Sequence, residues 1–176
     1  MTPEILDERR LSPADDAAIA ALLARCFATD FGGRSCFQTR PTWRHVMRTG
    51  SGIVAHLAVQ LRAVRLGEEM LTIAGIADVA TDPAWRGQGL ARRLLQLALT
   101  EARDSLASHA LLFGTARLYP AAGFRGIANP LTYVEMTGAR TSALVRTKRE
   151  EHLQVLELSS RPWNETAPLD LLGGLF

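Results

Sequence analysis

Residues 71–81, Leu-Thr-Ile-Ala-Gly-Ile-Ala-Asp-Val-Ala-Thr, are nearly all apolar and run through Asp82-Pro83-Ala84-Trp85-Arg86-Gly87-Gln88-Gly89 into an amphipathic pattern that starts at Leu90. A strand apolar on both faces belongs at the centre of a covered sheet, and a helix that follows it through a short turn packs back on that sheet. This one unit therefore commits the chain to a mixed α/β layer structure. The helix start adds a chemical expectation. Its first N–H groups have no partner within the helix, they lie at the positive end of the dipole, and Gly87 and Gly89 let an anion come close to them beside the fixed cation of Arg86. A phosphate group is the expected guest, and a merely tight packing turn is the alternative. Two known phosphate loops are excluded, because neither a Gly-Lys-Ser/Thr ending nor a Gly-x-Gly-x-x-Gly run is present.

The flanking segments fill in the layers. Residues 4–10 read as a first strand, after which Ser12, Pro13 and Asp15 supply an N-cap, a first-turn proline and a first-turn acid. The helix they open places Ile19, Leu22, Leu23, Cys26 and Phe27 on one face and is expected to end near Asp30. Phe31 to Pro41 should be a loop. From Gly52 to Val64, Ile53, Ala55, Leu57, Val59, Leu61 and Ala63 alternate with a second face bearing His56, Gln60 and Arg62, and Gly67 marks the turn into the return strand. His56 has no acid at an informative spacing and reads as a satisfied sheet residue. The helix after the glycine loop is expected to bury Leu90, Leu94, Leu97, Ala98 and Leu106 and to expose Arg92, Arg93, Gln96, Arg103 and Asp104. Further strands are expected at Ala110 to Phe113, Leu131 to Met136 and Glu151 to Leu158, with a short helix around Tyr119. The order is strand, helix, three strands, helix, strand, helix, strands.

Composition limits the partners. The 176 residues, 47% of them hydrophobic, suffice for one full core, so a single domain over 1–176 is expected. Twenty Lys and Arg against 18 acids leave a net charge of +2, which provides no general field for nucleic acid or a membrane surface. Cys26 and Cys36 lack metal-ligand spacing and imply neither a zinc site nor a disulfide framework, so no metal is expected. The acidic start, Met1 to Glu8, is unlike a signal peptide, and no window approaches a membrane span, so a cytoplasmic location is expected.

Arg86, Gly89 and Ala91, in the pattern Arg-x-x-Gly-x-Ala, together with Tyr119 four residues before the pair Gly123-Phe124, resemble the signature of the GCN5-related N-acetyltransferases (GNAT). The resemblance covers about residues 52–125. It implies a mixed, mostly antiparallel central sheet flanked by helices, acetyl-coenzyme A as co-substrate, and direct attack on the thioester by an amine, with a small-molecule amine as the leading acceptor, a protein α-amine or lysine behind it, and a homodimer as a common assembly. It further implies that backbone groups of Val79, Ala80 and Thr81 hold the pantetheine arm. The N–H groups of Gly87, Gln88, Gly89, Leu90 and Ala91 would hold the pyrophosphate with Arg86, the Val79 N–H would meet the oxyanion, and the Tyr119 hydroxyl would protonate the leaving thiolate. The bland alternative for Tyr119 is a half-buried ring with a locally bonded hydroxyl.

Residues 53–59, 85–88 and 117–119, with Cys26 to Phe31 and the tail from Trp163 to Phe176, are similar to segments of the aminoglycoside 2′-N-acetyltransferases, and the tail also to the nodulation acyltransferases. That likeness implies an acidic base on the strand before the loop, but Ala77 stands at the matching position and Asp78 is one residue on. A regular strand would turn Asp78 to the wrong face, and a bulge would bring it back. Asp78 is therefore the expected base if such a bulge exists. A polycationic acceptor would need converging acids, for which Asp30, Glu135, Asp170 and the Phe176 carboxylate are the candidates. A different class of function, a GNAT-fold module that senses or binds acyl-coenzyme A without turnover, is the alternative reading.

Overall fold

Two long strands, β3 (Gly52–Leu66) and β4 (Glu69–Thr81), turn back on each other at Gly67 and form the spine of the sheet. The computed structural model describes residues 1–29, 31–50, 52–137, 140–147 and 150–176. Before the spine come β1 (Pro3–Asp7), α1 (Pro13–Cys26) and β2 (Trp43–Thr49). After it come α2 (Leu90–Arg103), β5 (His109–Phe113), α3 (Leu118–Ala121), β6 (Arg125–Gly126), β7 (Leu131–Thr137), β8 (Arg140–Thr147), β9 (Leu153–Glu157) and β10 (Leu169–Asp170). Among the described residues these ten strands make one sheet in the order β6-β9-β5-β4-β3-β10-β7-β8, with β2 on the edge of β3 opposite β4 and β1 beyond it. Only β4–β5 and β10–β7 are parallel. The fold is thus the mixed, mostly antiparallel sheet expected of the chain.

Helices cover both faces. Ser12 caps α1 through the Asp15 N–H, with Pro13 at the first turn, and Ile19, Leu22 and Leu23 pack on Val46, Ile53 and Ala80. From the other side α2 sets Leu90, Leu94, Leu95 and Ala98 against Val54, Leu57, Val59, Ala74 and Ile76. Each such Leu contributes about 1.5–3 kcal/mol by burial. A third cluster around Ile73, Leu111, Leu131, Val155 and Trp163 gathers the later strands. The segment after β9 returns through it, placing β10 between β3 and β7 and so joining the β7–β8 hairpin to the sheet.

Several expectations need correction. Helix α1 ends at Cys26, where the Phe27 N–H caps back onto Leu23, and Asp30 lies outside the described residues. Leu106 is 85% exposed, because α2 stops at Arg103; Leu95, Leu99 and Ala102 complete the buried face in its place. The strands β2 and β8 carry no clean alternation and were not located by pattern. Both faces of β3 are buried from Ile53 to Gln60, since α1 and its following loop cover the side that bears His56 and Gln60.

Candidate active site

The pairing of β3 with β4 slips once. Ala77 lies opposite Ala58 and Ala80 opposite His56, so Asp78 and Val79 together face Leu57. This is a bulge, and Asp78 takes the left-handed backbone conformation there, with φ +49°, which Asp tolerates better than most residues. A buried polar chain supports it. His56 Nδ1 lies 2.9 Å from the Asp78 carbonyl oxygen, and Arg44 Nη1 lies 3.2 Å from His56 Nε2. Because a guanidinium only donates, Nε2 must accept and Nδ1 carries the proton that Asp78 receives. Arg44 is fully buried; Glu8 holds it through contacts of 2.6 and 3.1 Å, and the Ser35 carbonyl oxygen and hydroxyl accept from it at 2.7 and 3.1 Å.

The bulge turns Asp78 into a cavity of about 350 Å³ that Ala77, Val79, Tyr119 and a set of phenylalanines also line. No hydrogen bond from the described residues engages the Asp78 carboxylate. Burial pushes its pKa up to about 6, with the positive charge of Arg44 pulling the other way. Tyr119 enters the same cavity from α3, which starts with the Tyr119 N–H on the Ala116 carbonyl oxygen. Its ring stands edge-on to Phe124 with centroids 6.2 Å apart, and burial pushes the hydroxyl's pKa up. That hydroxyl makes no hydrogen bond to a described residue, so the locally satisfied tyrosine is not what the structure contains.

The cavity lies where two parallel strands part. Pairing between β4 and β5 runs from Ile73 to Ile76 and stops, while β4 continues to Thr81. Beyond Ile76, the β4 backbone from Ala77 to Thr81 has no strand on that side among the described residues. The side chain of Ala80 is turned into the α1 core, which leaves its backbone as the part available to a ligand.

From Thr81 the chain passes through a capped turn into the glycine loop. Asp82 accepts from the Ala84 N–H at 3.0 Å and from Arg25 Nη2 at 2.9 Å, tying the loop to the end of α1. Gly87 and Gly89 have φ of +78° and +72°, and a Cβ on either would meet nothing within 4 Å. Gly89 is the N-cap of α2 and supplies no side-chain cap. The early amides of α2 are therefore open, next to an exposed Arg86 whose Nε donates to the Thr81 carbonyl oxygen at 3.3 Å. This fits a phosphate group by charge and by space.

Asp78, Val79 and Tyr119 are thus brought together, with Arg86 to Ala91 at the helix start beyond the same strand. His56 is the satisfied sheet residue expected. Glu135 is exposed on β7 and Asp170 caps the Leu172 N–H at 2.9 Å; neither lines the cavity. Cys26 and Cys36 are free thiols. Reading the sequence did not find Glu8 or Arg44, whose pairing spans 36 residues, nor the wall made by Phe37, Phe113, Leu175 and Phe176.

The split of the sheet after Ile76, the bulged Asp78, Tyr119 and the open glycine loop thus lie along the same stretch of β4. Residues 7–127 match the family model described as the acetyltransferase (GNAT) domain, and the chain belongs to that family. No curated protein matches the chain. Among solved structures it is similar to the Escherichia coli GNAT family N-acetyltransferase YhbS in complex with CoA, at 23% identity and TM-score 0.66, covering 97% of this chain and 88% of that one. A GNAT family acetyltransferase from Brucella melitensis in complex with acetyl-CoA is 17% identical with TM-score 0.61, over 96% and 94%. The ribosomal-protein-S18-alanine N-acetyltransferase of Escherichia coli is 20% identical with TM-score 0.59, over 93% and 98%. No helix among the described residues is long and apolar enough to cross a membrane.

Proposed function

We propose that the protein transfers the acetyl group of acetyl-coenzyme A to a primary amine of a small molecule. The observation that carries this reading is the meeting of two unpartnered groups, the Asp78 carboxylate and the Tyr119 hydroxyl, in one cavity on the strand that leads to the glycine loop. A module that only binds acyl-coenzyme A has no use for an acid and a base facing the same space.

The backbone of Val79 to Thr81 holds the pantetheine arm, and the open amides of Gly87 to Ala91 with Arg86 hold the pyrophosphate. Asp78 takes a proton from the amine as its nitrogen bonds to the thioester carbonyl carbon, and the Val79 N–H meets the oxyanion. As the C–S bond breaks, Tyr119 gives its proton to sulfur; solvent then restores the Tyr119 proton and removes that of Asp78. Alignment of the two substrates supplies about 7–11 kcal/mol of the barrier reduction. A base with a pKa near 6 is ionised and still a proton acceptor at neutral pH.

Thermal unfolding with acetyl-coenzyme A at about 100 times its dissociation constant tests the binding half, because that adds roughly 2.7 kcal/mol to native stability and raises Tm by about 5–10 °C. Release of free thiol on adding amines tests the transfer. A rise in Tm without thiol release from any amine would return the protein to the sensor class, and no rise would remove the coenzyme site.

A further inference from the structure

The acceptor side of the cavity has a composition of its own. Phe27 and Phe31 lie with ring centroids 5.5 Å apart, and Phe37 stands edge-on to Phe31 at 5.6 Å. Across from them Phe113 and Phe176 pair at 5.3 Å. The seat for Phe176 exists because residue 75 is glycine: a Cβ there would lie 2.8 Å from the ring. Gly75 and Ala77 share one face of β4, so Phe176 closes the cavity next to the bulge.

Charge is as restricted as shape. Among the described lining residues Asp78 is the only acidic side chain, and no side chain is a cation. The closest cation to the Phe176 wall, Arg62, stands over that ring at 5.9 Å and spends its donors on the Leu171 and Gly174 carbonyl oxygens at 2.5 and 2.9 Å. A substrate carboxylate entering the cavity would meet no cationic side chain among the described lining residues. The other polar residues of the lining, Thr29, Gln38, Thr39, Gln60 and Tyr119, are neutral.

We infer that the acceptor is an amine without a carboxylate, carrying an apolar body about the size of one aromatic ring. Its nitrogen lies at Asp78, and its body lies between the Phe27–Phe31–Phe37 cluster and the Phe113–Phe176 pair. The inference rests on the transferase reading above and narrows its substrate to a class that excludes free amino acids and the hydroxyl-rich aminoglycosides. Phe176 becomes a specificity-determining residue.

Thiol release from acetyl-coenzyme A is measured with linear alkylamines of increasing length, phenethylamine, ethanolamine, phenylalanine and an aminoglycoside. The expected result is a KM that falls about three- to fourfold per added methylene until the cavity is full. Phenethylamine should then exceed ethanolamine, phenylalanine and the aminoglycoside in kcat/KM by on the order of 10²-fold, the worth of several buried methylenes. Phe176→Ala raises the KM for phenethylamine about tenfold or more, as loss of a buried ring contact requires, and keeps the rise in Tm with acetyl-coenzyme A. The length series in the unaltered protein decides the matter even if the variant does not fold. A flat length series, or best turnover with the aminoglycoside or phenylalanine, overturns this inference and leaves the transferase reading intact. A flat series joined to faster transfer from octanoyl-coenzyme A overturns it by assigning the apolar walls to the acyl chain. Silence of every amine while acetyl-coenzyme A still raises Tm overturns both.

Discussion

His56 Nδ1 donates to the backbone carbonyl oxygen of Asp78 at 2.9 Å, so a fully buried imidazole fixes the peptide that carries the Asp78 carboxylate. Its other nitrogen is held by Arg44, which is itself fully buried. Replacing His56 by Leu leaves an Arg44 donor and the Asp78 carbonyl without partners. Each costs about 1–3 kcal/mol, so a total loss of about 2–6 kcal/mol in a urea unfolding experiment is expected.

Acid should destabilise the fold through its histidines. Burial lowers the pKa of His45 to about 4 and of His56 to about 3 from an ordinary 6.5, and His109 shifts in the same direction. Below pH 6.5 the unfolded chain binds protons that the folded one refuses, so stability is fully present above that pH and is lost as pH falls. Asp78 acts the other way. Its folded value is about 6 against 3.8, so the fold holds an extra proton in that window and offsets one histidine. The net expectation is a loss of about 1.4 kcal/mol or more per pH unit between pH 6 and 4.5, read from urea midpoints.

An Asp78→Asn variant should be more stable and nearly inactive. Asn accepts the left-handed backbone and removes a carboxylate that burial penalises, which stabilises the fold at pH 7.5 by about 1–3 kcal/mol. With the opposing proton gone, the loss of stability with acid becomes steeper. A fall in kcat/KM below about pH 6 is expected of the native enzyme with Asp78 as the proposed base, and it should vanish from whatever activity the variant keeps. A pH–rate profile that keeps that limb would exclude Asp78 as the base.

Tyr119→Phe isolates proton donation. The ring keeps its contact with Phe124, and the hydroxyl it loses has no described partner, so the unfolding midpoint should hold within about 0.5 kcal/mol. Turnover should fall by something like 10²–10⁴ with the acetyl-coenzyme A thermal shift unchanged. Unchanged turnover would move the acid role elsewhere.

Local chemistry made the spine of this fold legible. The cap at Ser12, the apolar run into the glycine loop and the turn at Gly67 each act over a few residues, and each is where pattern places it. Strand β2 was not legible, because the residues that mark it, Arg44 and His45, are polar and fully buried, and the partner of Arg44 is Glu8, 36 residues away. Strand β8 is exposed from Arg140 to Leu144, apolar Leu144 included, so it shows no alternation. In the site, the loop and Tyr119 could be read from short motifs. Asp78 could only be posed as a conditional, since a bulge is a property of two strands together. The aromatic wall was hidden because its members come from positions 27 to 176 and share no spacing.

The slip at Asp78 and Val79 also acts as a phase change for everything downstream. A strand repeats every two residues, so one inserted residue exchanges its faces from that point onward. Ala80, Thr81 and the entry to the glycine loop take their orientation from it. Deleting one residue of the pair would do more than remove an acid: it would advance the rest of β4 by half a repeat and swing the start of α2 toward the opposite layer. The two halves of the site, the one that would bind phosphate and the one that would move protons, are therefore geared to each other through a single extra peptide unit. Substitutions around it can be tolerated one at a time, whereas a change in its length cannot be absorbed locally.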